Sequence, residues 1–447
     1  MMEQHYFKRR GKYFIVWFVV ILTTVWILRS PAQALEYNYP YHDPYIATVT
    51  TAILDDGPDP RPKSSIVHVP GLAGRNRLPS LEGRGELSVL LYRQSRPAPL
   101  LFILSGIGAN PFFGIATYLA RVFYEQGFHI VILPSPMSWN FALSASRSGA
   151  PGYAPADARD LYEMMQKSLS ILKDQHDVRI TKIDFVGLSL GALEGAYLSV
   201  LDSDERKIGI EKYLLVDPPL DLSYALKKID EWSTLKVKFG AEKSQGIISK
   251  AIGIVESFSD AKKDDPAVFE KFAKQFAGFT TQEFQLLIAA DLQTLLPELV
   301  YVTQLIHDQK ILTAARDKLR KRLREASDLT FMDYSEKIAV PLWRTQLSEP
   351  EADVESFMKK GSLASILDRL RGNSKVQIVH NADDPLTDKK SIEELKEALG
   401  DRVMVYPYGG HLGNIWYPQN REYVLKLFKT APELDAQNRP SNHGFDR

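Results

Sequence analysis

Residues 183–191, Ile-Asp-Phe-Val-Gly-Leu-Ser-Leu-Gly, place one serine between two glycines at the end of a short apolar run. The apolar run predicts a buried strand, and residues 192–198 continue at helical spacing. Because glycine lacks a Cβ atom, Gly187 and Gly191 allow a sharp turn with close packing. Such a turn lifts the hydroxyl of Ser189 above the sheet and directs the following N–H groups to the same point. The stretch therefore predicts a nucleophile, although the pentapeptide alone also fits ordinary packing of a helix on a strand.

Apolar runs and helical patterns alternate on both sides of this turn. The runs at 100–104 and 129–134 are continuous, which is typical of central strands covered on both faces. The alternation predicts an α/β fold with a doubly wound, mostly parallel sheet. Further strands are predicted at residues 87–92, 213–217, 375–380 and 403–406, and helices at 112–126, 156–176, 390–399 and 421–429.

A change of pattern after residue 220 indicates an insertion. The stretch 220–340 has no strand pattern, and we interpret it as a helical cap inserted into a catalytic core. Residues 35–85 are rich in Tyr, Pro, Asp and Gly and predict an extended arm with a short strand at 47–52. The helices of the cap are predicted at residues 224–235, 241–261, 266–276, 281–309 and 312–326. The predicted order is a signal or anchor (1–34), the arm (35–85), a first core part (86–219), the cap (220–340), a second core part (341–430) and a disordered tail (431–447).

The composition excludes several classes of protein. The chain has 447 residues, with 55 basic and 55 acidic side chains and no cysteine. Without cysteine there can be no disulfide, cysteine nucleophile or thiolate zinc site. No basic cluster with interleaved aromatic residues occurs, which argues against nucleic acid as a partner. The sequence has neither metal-ligand spacing nor a glycine-rich dinucleotide or phosphate loop, so we expect no metal and no cofactor.

The first 34 residues have the pattern of an export signal. Basic residues at positions 8–12 precede an apolar run at 13–28, and Ala-Gln-Ala follows at 32–34. Cleavage after Ala34 is the favoured interpretation. The alternative is an uncleaved single-pass anchor, with membrane association through residues 13–28, and Arg29 favours it. In either case the basic flank stays inside and the bulk of the chain is exported to the periplasm or cell envelope.

One histidine has the context of a general base. His411 follows the last predicted strand within Gly-Gly-His, where glycines let a loop carry the ring over the serine. Imidazole titrates near neutrality, so it can take the serine proton and return it to a leaving group. His380 is the next candidate, but its position within a strand indicates a structural role. His5 and His443 lie before the apolar segment and in the tail.

The serine turn, together with the polar residues after later strands, resembles the α/β-hydrolase superfamily. Gly-Leu-Ser-Leu-Gly at 187–191, Asp-Pro-Leu at 384–386 and Gly-Gly-His at 409–411 follow the order Ser, Asp, His of this fold. The resemblance covers residues 86–220 and 370–430, about two fifths of the chain. The chain resembles uncharacterised bacterial envelope serine hydrolases, so the resemblance implies a triad but no substrate.

The resemblance implies that Asp384 is the acid that orients His411. Members of the superfamily often carry the acid after the penultimate strand, before a proline and a short apolar pair, and Asp384-Pro385-Leu386 fits. A carboxylate there fixes the imidazole tautomer and stabilises the imidazolium. Asp383 remains an alternative because it is one residue away. Asp217 is a second alternative, because in some relatives the acid follows the strand after the serine.

The resemblance also implies two backbone donors for an oxyanion hole. The N–H of Leu190, directly after the nucleophile, is one donor, and the N–H of Ile107 is the other. The superfamily often has His-Gly before this second donor, where this chain has Ser105-Gly106. Because the donor is a backbone N–H, the hole does not require the histidine.

Together these features predict an exported serine hydrolase that cleaves a carboxylic ester through an acyl-enzyme. Ser189 would attack the carbonyl, and His411 would activate the water that releases the acyl group. An ester is preferred over an amide by analogy with the superfamily, and a small-molecule or lipid-like ester is the expected substrate. The alternatives are a peptidase or acyltransferase that uses the same site, and a non-catalytic envelope protein that binds a partner through its cap.

Overall fold

A single mixed sheet forms the centre of the fold in the computed structural model of the protein. Within the described residues its eight strands are β1 (Ser64–Pro70), β2 (Glu86–Tyr92), β3 (Ala98–Leu104), β4 (His129–Leu133), β5 (Ile180–Leu188), β6 (Lys212–Val216), β7 (Val376–Asn381) and β8 (Val403–Tyr406). The order across the sheet is β1-β2-β4-β3-β5-β6-β7-β8. Strands β3 to β8 are parallel, whereas β1 and β2 are antiparallel at one edge. Strands β3 and β4 are almost wholly buried, as expected where helices cover both faces.

The fold described is that of one compact unit, Tyr39–Arg447. The structure describes residues 37–55, 61–75, 78, 81–109, 111–112, 114–261, 265–346 and 352–429. The predicted signal or anchor (1–34) and the predicted tail (431–447) lie outside the described residues.

Helices pack on both faces of the sheet and fill the insertion after β6. They are α1 (Pro44–Val49), α2 (Ile115–Glu125), α3 (Trp139–Ser144), α4 (Ala154–Asp174), α5 (Leu190–Glu205), α6 (Leu222–Ser233), α7 (Leu235–Phe239), α8 (Ala241–Glu256), α9 (Pro266–Gln275), α10 (Thr281–Leu292), α11 (Leu296–His307), α12 (Leu319–Ser327), α13 (Phe331–Tyr334), α14 (Val340–Gln346), α15 (Val354–Gly361), α16 (Leu367–Arg371), α17 (Lys389–Leu399) and α18 (Pro418–Phe428). Short 3-10 turns occupy Thr50–Ile53, Leu363–Ile366 and Gly400–Arg402, and a π-turn, Ser335–Ala339, joins α13 to α14.

Seven predicted strands and the mostly parallel sheet are confirmed, but the sheet begins earlier than predicted. Strand β1 lies within the predicted arm (35–85) and pairs antiparallel with β2. It is an edge strand in which only Val67 and Val69 are buried, while Ile66 is 51% exposed. The alternating pattern is therefore short and lies among turn-forming residues, which explains why no strand was predicted there.

The short strand predicted at 47–52 is wrong, because the chain forms helix α1 there. The side chain of Asp43 accepts hydrogen bonds from the N–H groups of Tyr45 and Ile46, as an N-cap residue does. Pro44 occupies the first helical turn, where its missing N–H is no loss. These local signals for a helix start are present in the sequence, and they outweigh the β-branched residues that follow.

The helical insertion between β6 and β7 is longer than predicted. Helices continue from Leu222 to Arg371 rather than ending near 340, and the described residues of this stretch contain no strand. The single helix predicted at 281–309 is two helices, α10 and α11. Thr281–His307 is the described stretch that is long and apolar enough to cross a membrane, and half of its most apolar window is buried inside the protein. Its buried apolar side chains from Ile288 onward join the main core, whereas Leu286 packs in a separate small cluster with Leu235 and Ile247.

Helix α5 approaches the sheet unusually closely, and glycines make this approach possible. A Cβ atom on Gly191 would collide with the carbonyl oxygen of Leu104. One turn later, a Cβ atom on Gly195 would lie 2.5 Å from Cε1 of Phe185 and 2.8 Å from Cδ2 of Leu215. The helix that follows the serine is thus held against β3, β5 and β6 by contacts that only glycine permits.

We expect Gly195→Ala to destabilise the protein by about 1–3 kcal/mol, because the added methyl group overpacks a closed helix–sheet contact. Gly246→Ala is the matched control. Gly246 is also helical, but nothing lies within 4 Å of its Cβ position, so the substitution should stabilise the helix by up to about 1 kcal/mol. Urea unfolding of both variants measures the difference. Equal free energies of unfolding for the two variants would contradict the close packing of α5.

Candidate active site

Ser189 lies on a strained turn between β5 and α5. Its backbone has φ 54° and ψ −119°, a conformation that non-glycine residues rarely adopt. The N–H of Ser189 donates to the carbonyl oxygen of Val216, 2.9 Å away, which ties the turn to the end of β6. On the other side, a Cβ atom on Gly106 would lie only 2.8 Å from Cβ of Ser189. The ends of three neighbouring strands therefore determine where the hydroxyl lies.

The structure brings Ser189, His411 and Asp384 into one hydrogen-bonded chain. Oγ of Ser189 lies 2.9 Å from Nε2 of His411, and Nδ1 of His411 lies 2.8 Å from Oδ2 of Asp384. An ionised carboxylate only accepts, so the ring proton is on Nδ1 and Nε2 is free to accept from the serine. Oδ1 of Asp384 accepts from the N–H of Leu386 at 2.8 Å, which holds the carboxylate in place. Both His411 and Asp384 are buried.

The pKa of His411 is set by two opposing effects. Burial lowers this pKa, but the charge and hydrogen bond of Asp384, with the charge of Asp217, raise it by more, so it lies above its ordinary value. A raised pKa means that the site stabilises the imidazolium. That is the form a general base takes after it has accepted a proton.

The two alternative acids contact the backbone of the loop between β8 and α18, residues 407–417, which we call the histidine loop, and not the histidine ring. Oδ1 of Asp383 accepts from the N–H of Gly410 at 2.9 Å. Oδ2 of Asp217 accepts from the N–H of Leu412 at 2.8 Å. Burial raises the pKa of Asp217 to about 6, with His380 opposing the rise and the charge of Asp384 adding to it. Of the three acids, Asp384 is the one that lies against the ring.

Two asparagines that the sequence interpretation left without a role hold the loop around His411. Nδ2 of Asn381 donates to the carbonyl oxygen of Gly410 at 3.0 Å and to Oδ2 of Asp217 at 3.0 Å. Nδ2 of Asn414 donates to the carbonyl oxygen of Tyr408 at 3.1 Å. Both asparagines are buried. The sequence offered two signals for this role: Asn381 is a polar residue at the end of β7, and Asn414 lies three residues after His411.

The other candidate histidines are not part of this chain of hydrogen bonds. His380 is fully buried in β7, with Nε2 3.3 Å from the carbonyl oxygen of Pro218, which agrees with the structural role predicted for it. His5 and His443 lie outside the described residues.

The predicted oxyanion donors lie beside the serine. Leu190 is the first residue of α5, and its N–H is among those that have no partner within a helix. Ile107 follows Gly106, where an added Cβ atom would lie 3.3 Å from Oγ of Ser189. Both residues line the same cleft as Ser189 and His411. Both predicted donors are therefore residues of the cleft that contains the serine hydroxyl.

The cleft above Ser189 is narrow and apolar. It encloses about 20 Å³, which is room for about one water molecule. Helix α6 of the insertion forms one wall, and the end of α10 forms another. The lining residues are Ile107, Ser189, Leu190, Pro219, Leu222, Ala225, Leu226, Ile229, Leu292, Leu386, Thr387 and His411.

The stretch after β4, residues 134–155, is rich in polar side chains but does not line this cleft. Most of it is buried, and part of it forms helix α3. The guanidinium of Arg75 donates to the carbonyl oxygens of Ala142 and Ser146, both at 3.3 Å. The side chain of Asp160 accepts from the N–H of Arg147 at 2.8 Å. The polar groups of the loop are used to hold its backbone in place.

A wider depression of about 790 Å³ lies at α7 and α8 in the insertion. Its cations lie over aromatic rings, Lys243 over Phe239 at 4.6 Å and Lys250 over Phe279 at 4.4 Å. Its lining has no hydroxyl, thiol or imidazole group that could act as a nucleophile. The cleft above Ser189 is therefore the candidate site.

Asp384 and two buried neighbours, Asp217 and His380, have the composition of a metal site, but their ligand atoms are already engaged. The ligand atoms of Asp217, His380 and Asp384 lie within 4.8 Å of one another. Both oxygens of Asp217 accept from Asn381, and both oxygens of Asp384 are used by His411 and the backbone. A cation would have to displace these hydrogen bonds, so the donor set does not fit a metal.

The strand order, the turn at Ser189 and the order Ser, Asp, His along the chain are those of the α/β-hydrolase fold. No protein-family model and no curated protein matches the chain. Among solved structures it is similar to EstE1, a thermostable carboxylesterase from a metagenomic library, with 13% identity, TM-score 0.39 and coverage of 89% of this chain and 95% of that one.

Two further solved structures are similar to this chain. A hyperthermophilic esterase from the archaeon Pyrobaculum calidifontis has 12% identity and TM-score 0.39, with coverage of 86% of this chain and 87% of that one. An acylaminoacyl peptidase from Pyrococcus horikoshii has 12% identity and TM-score 0.36, with coverage of 86% of this chain and 43% of that one. Because the identities are only 12–13%, the substrates of these proteins are not assigned to this chain.

We expect Asp384→Asn to lower the rate of inactivation by a fluorophosphonate by about 10³–10⁴-fold, because an amide no longer fixes the reactive tautomer of His411. The inflection of the rate against pH should also move to lower pH, since the carboxylate that raises the pKa of His411 is gone.

Asp383→Asn is the matched control for this prediction. Its amide oxygen can still accept from the N–H of Gly410, so the loss should stay below about tenfold and the inflection should not move. A larger loss for Asp383→Asn than for Asp384→Asn would refute the assignment of the acid.

Proposed function

We propose that the protein is a serine hydrolase that cleaves carboxylic esters through an acyl-enzyme. The observation that carries this proposal is the continuous relay from Asp384 through His411 to Ser189, with donor–acceptor distances of 2.8 and 2.9 Å. An alcohol is a weak nucleophile at neutral pH, and a neighbouring base that is itself oriented by a carboxylate is what activates it.

In the proposed reaction Oγ of Ser189 attacks the ester carbonyl carbon while its proton passes to Nε2 of His411. The oxyanion that forms accepts hydrogen bonds from the N–H groups of Ile107 and Leu190, and one such donor typically contributes about 3 kcal/mol. The bond to the alcohol oxygen then breaks, and His411 returns the proton to that oxygen. A water molecule repeats the sequence on the acyl-enzyme, which releases the carboxylic acid and restores Ser189.

The lining of the cleft supports an ester with apolar groups. Its walls are aliphatic side chains of the insertion and the core, so an alkyl or acyl chain would be buried there favourably. The enclosed volume of about 20 Å³ is much smaller than any ester. Entry of a substrate therefore requires the wall of the cleft, which includes α6 and the end of α10, to open, as in enzymes whose lids gate the site.

We expect the wild type to react covalently with a fluorophosphonate and to hydrolyse p-nitrophenyl esters, and Ser189→Ala to do neither. Ser203→Ala is the matched control, because its hydroxyl lies on the same helix and donates to the carbonyl oxygen of Ser199. Mass spectrometry of the labelled protein locates the adduct.

Labelling that survives Ser189→Ala would sink the proposal, and so would a wild type that is not labelled. Labelling without hydrolysis of any ester across a range of acyl lengths would favour a peptidase or an acyltransferase that uses the same site.

We also propose that the protein is exported, on the basis of the basic segment at 8–12, the apolar run at 13–28 and Ala-Gln-Ala at 32–34. Cleavage after Ala34 leaves a periplasmic enzyme, and retention leaves the catalytic unit tethered to the membrane.

Export predicts a defined N-terminus for protein purified from the native cell envelope. N-terminal sequencing should begin at Leu35 if the signal is cleaved, because the small residues at 32 and 34 match the preference of signal peptidase. An intact N-terminus in the membrane fraction would indicate the anchor instead. Recovery of the full-length chain in the cytosolic fraction would contradict export.

A further inference from the structure

The N-terminal segment lies directly against the loop that carries His411. We call residues 39–54 the N-terminal clasp. Oγ1 of Thr48, on helix α1, accepts from the backbone N–H of His411 at 2.9 Å and donates to the carbonyl oxygen of Pro44 at 2.7 Å. Thr48 is 8% exposed. The contact joins positions that are 363 residues apart, so the clasp reaches the candidate general base from the opposite end of the sequence.

Further hydrogen bonds extend this contact along the loop. The single proton of the Thr50 hydroxyl is shared between the carbonyl oxygens of Ala47 at 2.7 Å and Gly413 at 3.0 Å, and Oγ1 of Thr50 accepts from Nε1 of Trp416 at 3.2 Å. The hydroxyl of Tyr39 donates to the same carbonyl oxygen at 3.0 Å. A Cβ atom on Gly413 would collide with the carbonyl oxygen of Ala47. The clasp and the loop are therefore packed too closely for any residue larger than glycine at this position.

Three consecutive N–H groups of the loop have three separate side-chain acceptors. The N–H of Gly410 donates to Asp383, that of His411 to Thr48 and that of Leu412 to Asp217. The loop belongs to neither a helix nor a strand, so no regular ladder of hydrogen bonds sets its position. These acceptors set it instead, and Thr48 is the one that binds the N–H of the histidine itself.

The clasp also contacts the helical insertion. The hydroxyl of Tyr45 accepts from Nε2 of Gln285 in α10 at 3.0 Å. The ring of Tyr45 packs against Trp232 in α6 with centroids 5.9 Å apart. In the loop, the ring of Trp416 stacks on Phe269 in α9 at 3.7 Å. The clasp thus lies where the histidine loop and the insertion meet.

We propose that Thr48 is a positioning residue that holds the backbone of His411 so that its ring reaches Ser189 and Asp384 together. The proposal rests on the function proposed above. Without the hydroxyl, the N–H of His411 would be buried and unpaired, and the loop would have to shift to bring it to water. A shift of the ring by a fraction of an ångström lengthens both bonds of the relay. The side chain of Thr48 is neutral, so its removal changes the geometry of the loop and leaves the charge unchanged.

The test uses three variants of the full-length chain. Thr48→Val keeps the shape of the side chain and removes the acceptor, whereas Thr48→Ser keeps the hydroxyl. Thr51→Val is the matched control, because the hydroxyl of Thr51 donates to the carbonyl oxygen of Thr48 at 2.8 Å in the same segment and makes no hydrogen bond to the histidine loop within the described residues. Hydrolysis of p-nitrophenyl butyrate gives kcat and KM for each variant.

For Thr48→Val we expect kcat to fall about tenfold while KM stays within twofold, because the positioned base is disturbed and the apolar cleft is not. Thr48→Ser should stay within about threefold of the wild type, and Thr51→Val should match it. Wild-type kcat in Thr48→Val, or the same loss in Thr51→Val, would overturn the proposal. A general loss of folded protein would lower the apparent kcat of both valine variants in proportion to the folded fraction.

A second measurement does not depend on hydrolysis. NMR titration of histidine-labelled protein reports the pKa of His411, which burial lowers and which the hydrogen bond and charge of Asp384, with the more distant charge of Asp217, raise above its ordinary value. A ring that is displaced from Asp384 should titrate at lower pH in Thr48→Val and at the wild-type pH in Thr48→Ser and Thr51→Val. An unchanged titration in Thr48→Val would refute the positioning role. If the wild type hydrolyses no ester and the titration still shifts, the proposed function fails while the positioning role stands.

Discussion

The backbone of Ser189 imposes the constraint on which the rest of the site depends. A non-glycine residue at φ 54° and ψ −119° costs about 1–3 kcal/mol, and it persists only when its surroundings determine it. Here its N–H is bound to Val216 at the end of β6, and its carbonyl oxygen accepts from Ala192 and Leu193 in α5. Gly106 leaves the space that the serine side chain occupies. The strain is therefore offset by strand ends and a helix start that belong to the fold itself.

The histidine loop places the ring of His411 beside that serine, with Nε2 2.9 Å from Oγ of Ser189. A loop without regular secondary structure has no ladder to hold it, so its backbone is bound by side chains. Asp383 and Asp217 serve this purpose from β7 and β6, and burial raises the pKa of both carboxyls. Asp384 alone faces the ring of His411. Each of the three acids therefore makes a different contact: Asp384 with the ring of His411, Asp383 with the N–H of Gly410 and Asp217 with the N–H of Leu412. The cluster is polar, although the cleft beside it is apolar.

The sequence predicted best those elements whose residue pattern is strong within a short stretch. Continuous apolar runs such as 100–104 and 129–134 predicted central strands, because a strand covered on both faces needs apolar residues at every position. Edge strand β1 was missed, since one covered face leaves only two buried valines among polar residues. Helix α1 was predicted as a strand, because the β-branched residues of this stretch favour a strand whereas the cap formed by Asp43 and Pro44 favours a helix.

The sequence by itself determined the kinds of groups present and their order: a serine on a strand-to-helix turn, acids after the penultimate strand and a histidine after the last. These follow from local pattern, because each lies where a strand ends. Only the tertiary structure decided that Asp384 rather than Asp383 faces His411, since adjacent residues in a turn point in different directions. Only the tertiary structure placed Thr48 against the histidine. The two residues are 363 positions apart and meet through the packing of the whole fold, so no local pattern predicts their contact.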